Sequence, residues 1–149
     1  MDFSRFLTDE VAEIEGVWKP IGGGAEVRIA RLNNPNFRKA FQAKSKANRA
    51  LLDQDDEAAN ELLENIMLEL MARHVLKDVK GITVPDLEQF SPEIRGKTIG
   101  VDVPYSSKIG HELLCASRDF AQKIRQLSEA MENFQIEQEE KAVKNSSDG

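Results

Sequence analysis

The chain has 149 residues, 40% of them hydrophobic and 31% charged, with a formal net charge of −6, a composition that suits one soluble domain with a modest core. A single cysteine, Cys115, excludes an internal disulfide framework. No apolar run approaches the roughly 18 residues of a membrane span. The start, MDFSRFLTDE, lacks the basic and apolar regions of a signal peptide, so a reducing cytoplasm is the expected compartment.

Residues 1–14 read as a short helix or an ordered tail, with Phe3, Phe6, Leu7, Val11 and Ile14 at spacings compatible with one apolar face. Two β-rich runs follow at about 16–32, on either side of Gly22, Gly23 and Gly24, and read as a hairpin. Pro20 makes the first strand short or places it at an edge, since proline cannot donate to a ladder. Trp18 is expected as a packing anchor. The glycine triplet lacks the GxxxxGK[ST] frame of a phosphate loop, and Gly96-Lys97-Thr98 lacks its first glycine.

Asn34 followed by Pro35 reads as an N-cap with proline at the first helical position. A basic helix is expected from there to about Leu52, and the acidic cluster at 53–56 ends it. Residues 55–77 are the most strongly periodic stretch. Ala59, Leu62, Leu63, Ile66, Met67, Leu70, Met71, His74 and Val75 fall on one wide helical face. Acids lead the stretch and Arg73 and Lys77 close it, as the helix dipole favours.

Residues 78–104 are rich in glycine and proline and read as a connector holding a short strand or two. Ser91, before Pro92 and Glu93, is expected to cap a short helical turn. A further helix is expected over 105–117, capped by Ser106 or Ser107. Phe120, Ile124, Leu127, Met131 and Phe134 then recur at intervals of 4, 3, 4 and 3. They form a two-heptad seam able to pack against another helix. The fold class is thus mainly α (α+β), with an N-terminal β-hairpin, four to five helices in one domain over 1–136, and a disordered polar tail over 137–149.

Charge is unevenly placed. Residues 25–49 hold Arg28, Arg31, Arg38, Lys39, Lys44, Lys46 and Arg49 against Glu26 alone, whereas 53–69 hold seven acids and no base. Such segments either neutralise each other or let copies associate head to tail, with Arg28, Arg31, Arg38 and Lys39 as self-association candidates. Nucleic acid is a weaker partner, because few aromatics accompany the basic run.

Catalytic and metal chemistry find little support. The histidines His74 and His111 are too few, with Cys115, for a zinc set. Cys115 lies one helical turn after His111, but no third group orients the pair. The expectation is a non-enzymatic interaction protein with no cofactor. Met67, Met71 and the seam of Phe120, Ile124, Leu127, Met131 and Phe134 are its partner-binding candidates, since methionine adapts to varied surfaces.

Several stretches occur in a telling order: Trp18, AEVRIARLNNPNFRKAF, ARHVLKDVKGI, FSPE, CASRDFAQKI and EKAVKNS. This series resembles tail assembly chaperones of long, non-contractile-tailed bacteriophages and related prophages. The resemblance implies a protein of the host bacterial cytoplasm that binds the tape measure protein, keeps it soluble, and helps recruit tail tube subunits. It implies multiple copies per client. It also implies that a longer, frameshifted form would be joined near the tail. The competing reading is a small virion structural or head–tail connector protein retained in the particle.

Overall fold

The computed structural model describes residues 1–136. Within them the fold is mixed α+β, with six α-helices and small antiparallel sheets. Helix α1 (Glu10–Glu15) leads into strands β1 (Val17–Gly22) and β2 (Ala25–Ile29). Helices α2 (Pro35–Ala47), α3 (Arg49–Leu52) and α4 (Glu57–His74) follow. Strands β3 (Leu76–Lys80), β4 (Ile82–Thr83) and β5 (Thr98–Ile99) come next, then helices α5 (Ser107–Ala116) and α6 (Arg118–Glu129). Two 3₁₀ turns, Phe3–Phe6 and Met131–Phe134, flank this body.

The hairpin forms where the glycines allow it. Gly22, Gly23 and Gly24 all have positive φ, which side-chain-bearing residues resist. Strand β1 is the edge of a β1-β2-β3 sheet, so Pro20 forfeits no ladder bond to a further strand. Along β2, Ala25, Val27 and Ile29 are buried while Glu26 and Arg28 turn outward, the period-2 pattern of a half-covered strand. Trp18 is not the anchor expected of it. It stands on the outer face, 40% exposed, with the Lys80 ammonium 4.9 Å from its ring centroid.

Helix α4 ends at His74, three residues before the sequence limit of 77. Val75 leaves the helix and Leu76–Lys80 becomes β3, which the sequence reading missed. Two hydrogen bonds and one strand pairing hold this change. Asn34 Nδ2 donates to the His74 carbonyl at 2.9 Å, Ala30 N–H donates to the Val75 carbonyl at 2.8 Å, and Val79 pairs with Val27 in the sheet. Asn34 is itself buried and caps α2 through Asn36 and Phe37 N–H. One side chain therefore starts α2 and takes an otherwise unpartnered carbonyl at the end of α4.

Three further boundaries differ from the sequence reading. The basic helix breaks at Asn48, whose side chain donates back to the Lys44 carbonyl at 2.8 Å, leaving α3 as a separate turn. Ser91 does form a turn, accepting from Ile94 and Arg95 N–H, but its hydroxyl is bound to the Glu112 carboxylate rather than capping. The 120–134 seam is not one helix. Helix α6 stops at Glu129, Ala130 is extended, and Asn133 Nδ2 donates to the Leu127 carbonyl at 2.9 Å to close the end. Residues 137–149, expected as a disordered polar tail, lie outside the described residues.

A single hydrophobic cluster runs from Val27 and Ile29 through α4 and the connector to Ile124 and Phe134. Helix α4 packs against α2, α3, α5 and β3, so the periodic stretch is the central wall of the core.

Candidate partner-binding surface

The stripe on α4 divides into core and surface. Ile66, Leu70 and Met71 are buried, with Met71 at 0% exposure. One turn earlier, Leu63 is 39% exposed and Met67 is half-buried. These two form the floor of an open hollow of about 410 Å³, completed by Phe41 from α2, Asn60 and Glu64 from α4, and Arg125 from α6. Glu64 and Arg125 also border a neighbouring hollow of about 310 Å³ beside Leu68, Cys115 and Arg118. The two share Glu64 and Arg125, and together they make a trough lined by both apolar and charged side chains.

The seam candidates separate in the same way. Ile124 and Phe134 are fully buried core residues. Phe120, Leu127 and Met131 are half-buried, and Phe120 and Leu127 pack against the core. In this fold, then, Met71, Ile124 and Phe134 hold the domain together, and no partner reaches them without unfolding it. Of the residues singled out from sequence, Met67 is the one in the trough. Phe41 and Leu63 were read only as core positions. The signal that could have marked Leu63 is the acid-rich turn around it, Asn60, Glu61 and Glu64, which no core element would cover.

The basic candidates are also unequal. Arg31 Nη1 donates to Glu13 at 3.1 Å and so ties the segment after β2 to α1. Arg28 is half-buried in the sheet, with Nε buried and without a partner among the described residues. Arg38 and Lys39 are exposed on α2 and form no ion pair among the described residues. Lys44, by contrast, meets Glu69 at 3.6 Å, so part of the opposite charge of α2 and α4 is neutralised within the chain.

The titratable groups among the described residues give no activated centre. The Cys115 sulfur lies 3.5 Å from His111 Nε2, but burial pushes the thiol pKa up, the opposite of what a nucleophile requires. Burial, then Lys77 and Arg73, holds His74 below its usual value. Burial, then Asp78, raises the Tyr105 phenol, whose Oη donates to the Leu76 carbonyl at 2.7 Å. Among the described residues no His, Cys, Asp and Glu group could hold a metal ion, and no helix is long and apolar enough to cross a membrane.

Comparison with known families decides the broader assignment. A model of the YdaY prophage protein family matches residues 32–145, well over half of the chain. The chain belongs to the YdaY prophage protein family. No curated protein and no solved structure matches it. The YdaY match begins after the hairpin. It therefore includes α2, α4, α5 and α6, the four helices that line the trough, while the N-terminal turn, α1 and the β1–β2 hairpin fall outside it.

Proposed function

We propose that this prophage protein is a tail assembly chaperone. It binds the tape measure protein in the host cytoplasm, keeps it soluble, and helps recruit tail tube subunits. The observation that carries this reading is the trough of Phe41, Leu63 and Met67 on a prophage protein. A tape measure protein is a long amphipathic helix that aggregates when uncovered. Its apolar ridge needs a shallow apolar bed that tolerates changing side chains, and an unbranched thioether at the centre supplies that tolerance. Glu64 and Arg125 at the edges can take either sign from the polar flanks of the helix. The ordered stretches from Trp18 onward, which resemble those of tail assembly chaperones, support the same assignment.

Multiple copies would line one client. Arg38 and Lys39 on one copy and the exposed acids Glu57 and Glu61 on the next are complementary for that arrangement.

Co-expression with the tape measure protein encoded beside it, followed by affinity purification and sizing, tests the assignment. A soluble complex with several copies of this chain per client supports it, and Leu63→Asp with Met67→Glu should abolish the complex. An insoluble client with this chain eluting alone would overturn it. Recovery of the chain from purified particles would favour a virion connector instead.

A further inference from the structure

Residues 1–15 lie against the body of the protein as a strap. None of their side chains is fully buried, and Phe3 and Phe6 stay 69% and 53% exposed. Polar bonds, not apolar burial, hold the strap in place. They fall at two points. At the first, Arg31 N–H donates to the Glu13 carbonyl at 2.8 Å and Arg31 Nη1 to the Glu13 carboxylate at 3.1 Å. At the second, Asp9 N–H donates to the Phe134 carbonyl at 2.8 Å, Thr8 bridges to Gln135, and Gln135 Nε2 donates to the Arg5 carbonyl. The body side of both points is supplied by Arg31, Phe134 and Gln135, so any copy of the chain offers the same two points. The strap also caps its own helix, because the Asp9 carboxylate accepts from Val11 and Ala12 N–H.

A single residue joins the strap to β1. Gly16 has φ 94° and ψ 164°, a region essentially confined to glycine. A Cβ there would lie 3.0 Å from the Ile29 carbonyl carbon, 3.1 Å from its oxygen and 3.1 Å from Arg28 Cγ. The return of the strap onto its own body thus depends on one glycine turn. If Gly16 becomes extended instead, α1 is carried away from Arg31 of its own chain, and both attachment points fall empty.

We propose that the strap is an exchangeable element: the straps of two copies change places, each binding the Arg31 and Phe134–Gln135 points of the other, to give a reciprocal dimer. The surface and its occupant are those already paired in the structure. The Glu13–Arg31 ion pair and the backbone bonds re-form between chains unchanged, so the closed and exchanged forms differ at the hinge and in concentration dependence, not in these contacts. Each copy gives one strap and receives one, so the exchange closes at two copies. A short hinge under strain is where segments exchange. The inference stands apart from the client reading, because the strap lines neither hollow of the trough and precedes residue 32, where the family match begins.

The test is sedimentation velocity on the full chain over a concentration series, after incubation long enough for straps to re-equilibrate. Wild type should show monomer and dimer and nothing larger. Glu13→Arg sets two cations against each other at the first point, and Arg31→Glu sets two carboxylates there, in the closed form and the homodimer alike. Each variant alone should stay monomeric. In an equal mixture each strap finds its match only on the other variant, and a one-to-one heterodimer should form. Glu13→Arg with Arg31→Glu in one chain restores the pair and should match wild type. Gly16→Ala should favour the dimer by about tenfold or more, since each dimer relieves two strained hinges. Thr8→Cys with Gln135→Cys, made with Cys115→Ser, traps the second point: oxidation should link two chains in the dimer fraction and close one chain on itself in the monomer fraction. A mixture that stays monomeric while circular dichroism shows both variants folded overturns the proposal. So does a wild type that is monomeric throughout or grows past a dimer, a folded Gly16→Ala protein that forms no dimer, or disulfides formed only within single chains.

Discussion

Gly110 sits inside α5, where replacing glycine by alanine ordinarily stabilises a helix by about 1 kcal/mol. Here the opposite is expected. A Cβ at Gly110 would lie 2.1 Å from Tyr105 Oη, 3.0 Å from Cζ and 3.2 Å from Cε2. The phenol cannot swing aside freely, because its Oη donates to the Leu76 carbonyl at 2.7 Å and its ring packs against the core. Moving it breaks that bond and leaves a buried acceptor, which costs about 1–3 kcal/mol. Overpacking adds about 1–3 kcal/mol. After the helix gain, Gly110→Ala should lose about 1–5 kcal/mol net. Tyr105→Phe removes the atom at 2.1 Å, and the nearest remaining one is Cζ at 3.0 Å. In that background Gly110→Ala should cost no more than about 1 kcal/mol. Urea unfolding followed by far-UV circular dichroism on the four proteins of this cycle measures the coupling. A stabilised Gly110→Ala single variant, or an equal effect in both backgrounds, would refute the reasoning.

The other expectations concern the divided surfaces. Met71→Ala and Ile124→Ala should each cost about 2–5 kcal/mol and Phe134→Ala about 3–5 kcal/mol in the same assay, as core truncations do. Leu63→Asp with Met67→Glu should instead change the unfolding midpoint little while losing client solubility in co-expression. Reversing Arg38 and Lys39 to Glu should weaken any salt-sensitive association of copies on a client, read by sizing at two ionic strengths. Reversing Arg31 should mainly lower stability, because it breaks the 3.1 Å pair with Glu13. His74 is held below its usual value of 6.5, so as pH falls the unfolded chain takes the proton first. Stability is therefore at its full value above pH 6.5 and declines as pH drops toward the folded value. His74→Gln should flatten that decline in unfolding midpoints measured across the window.

The legible parts of the fold were those written in local chemistry. Three positive-φ glycines and a proline announce the hairpin and its edge strand. Asn34-Pro35 announces α2, and Ser106 caps α5 by accepting from Ile109 N–H. What stayed hidden depends on partners distant in sequence. LKDVK at 76–80 continues an apolar helical rhythm until one sees that Val79 lies opposite Val27 and that Asn34, 40 residues earlier, takes the His74 carbonyl. The break at Ala130 is hidden for the same reason. Intervals of 4, 3, 4 and 3 describe a helix seam equally well when the last two members belong to a separate turn folded back toward the N-terminal segment.

The surface was the least legible part, and α4 shows why. Met67 and Met71 are one turn apart on a single apolar stripe, identical in type and periodicity. Periodicity reports that a side chain avoids water. It does not report whether the chain itself or another molecule does the covering. Only placement separates them: Met71 is sealed by the core, whereas α2 and α6 stop short of Met67 and leave the trough open. The same reasoning reverses the fate of the N-terminal phenylalanines. Phe3 and Phe6 read as an amphipathic face seeking a core, yet the bonds from Asp9 and Gln135 fix their backbone where no element among the described residues covers them. Among the described residues, periodicity thus marks an apolar stripe equally well whether the fold covers it or leaves it exposed.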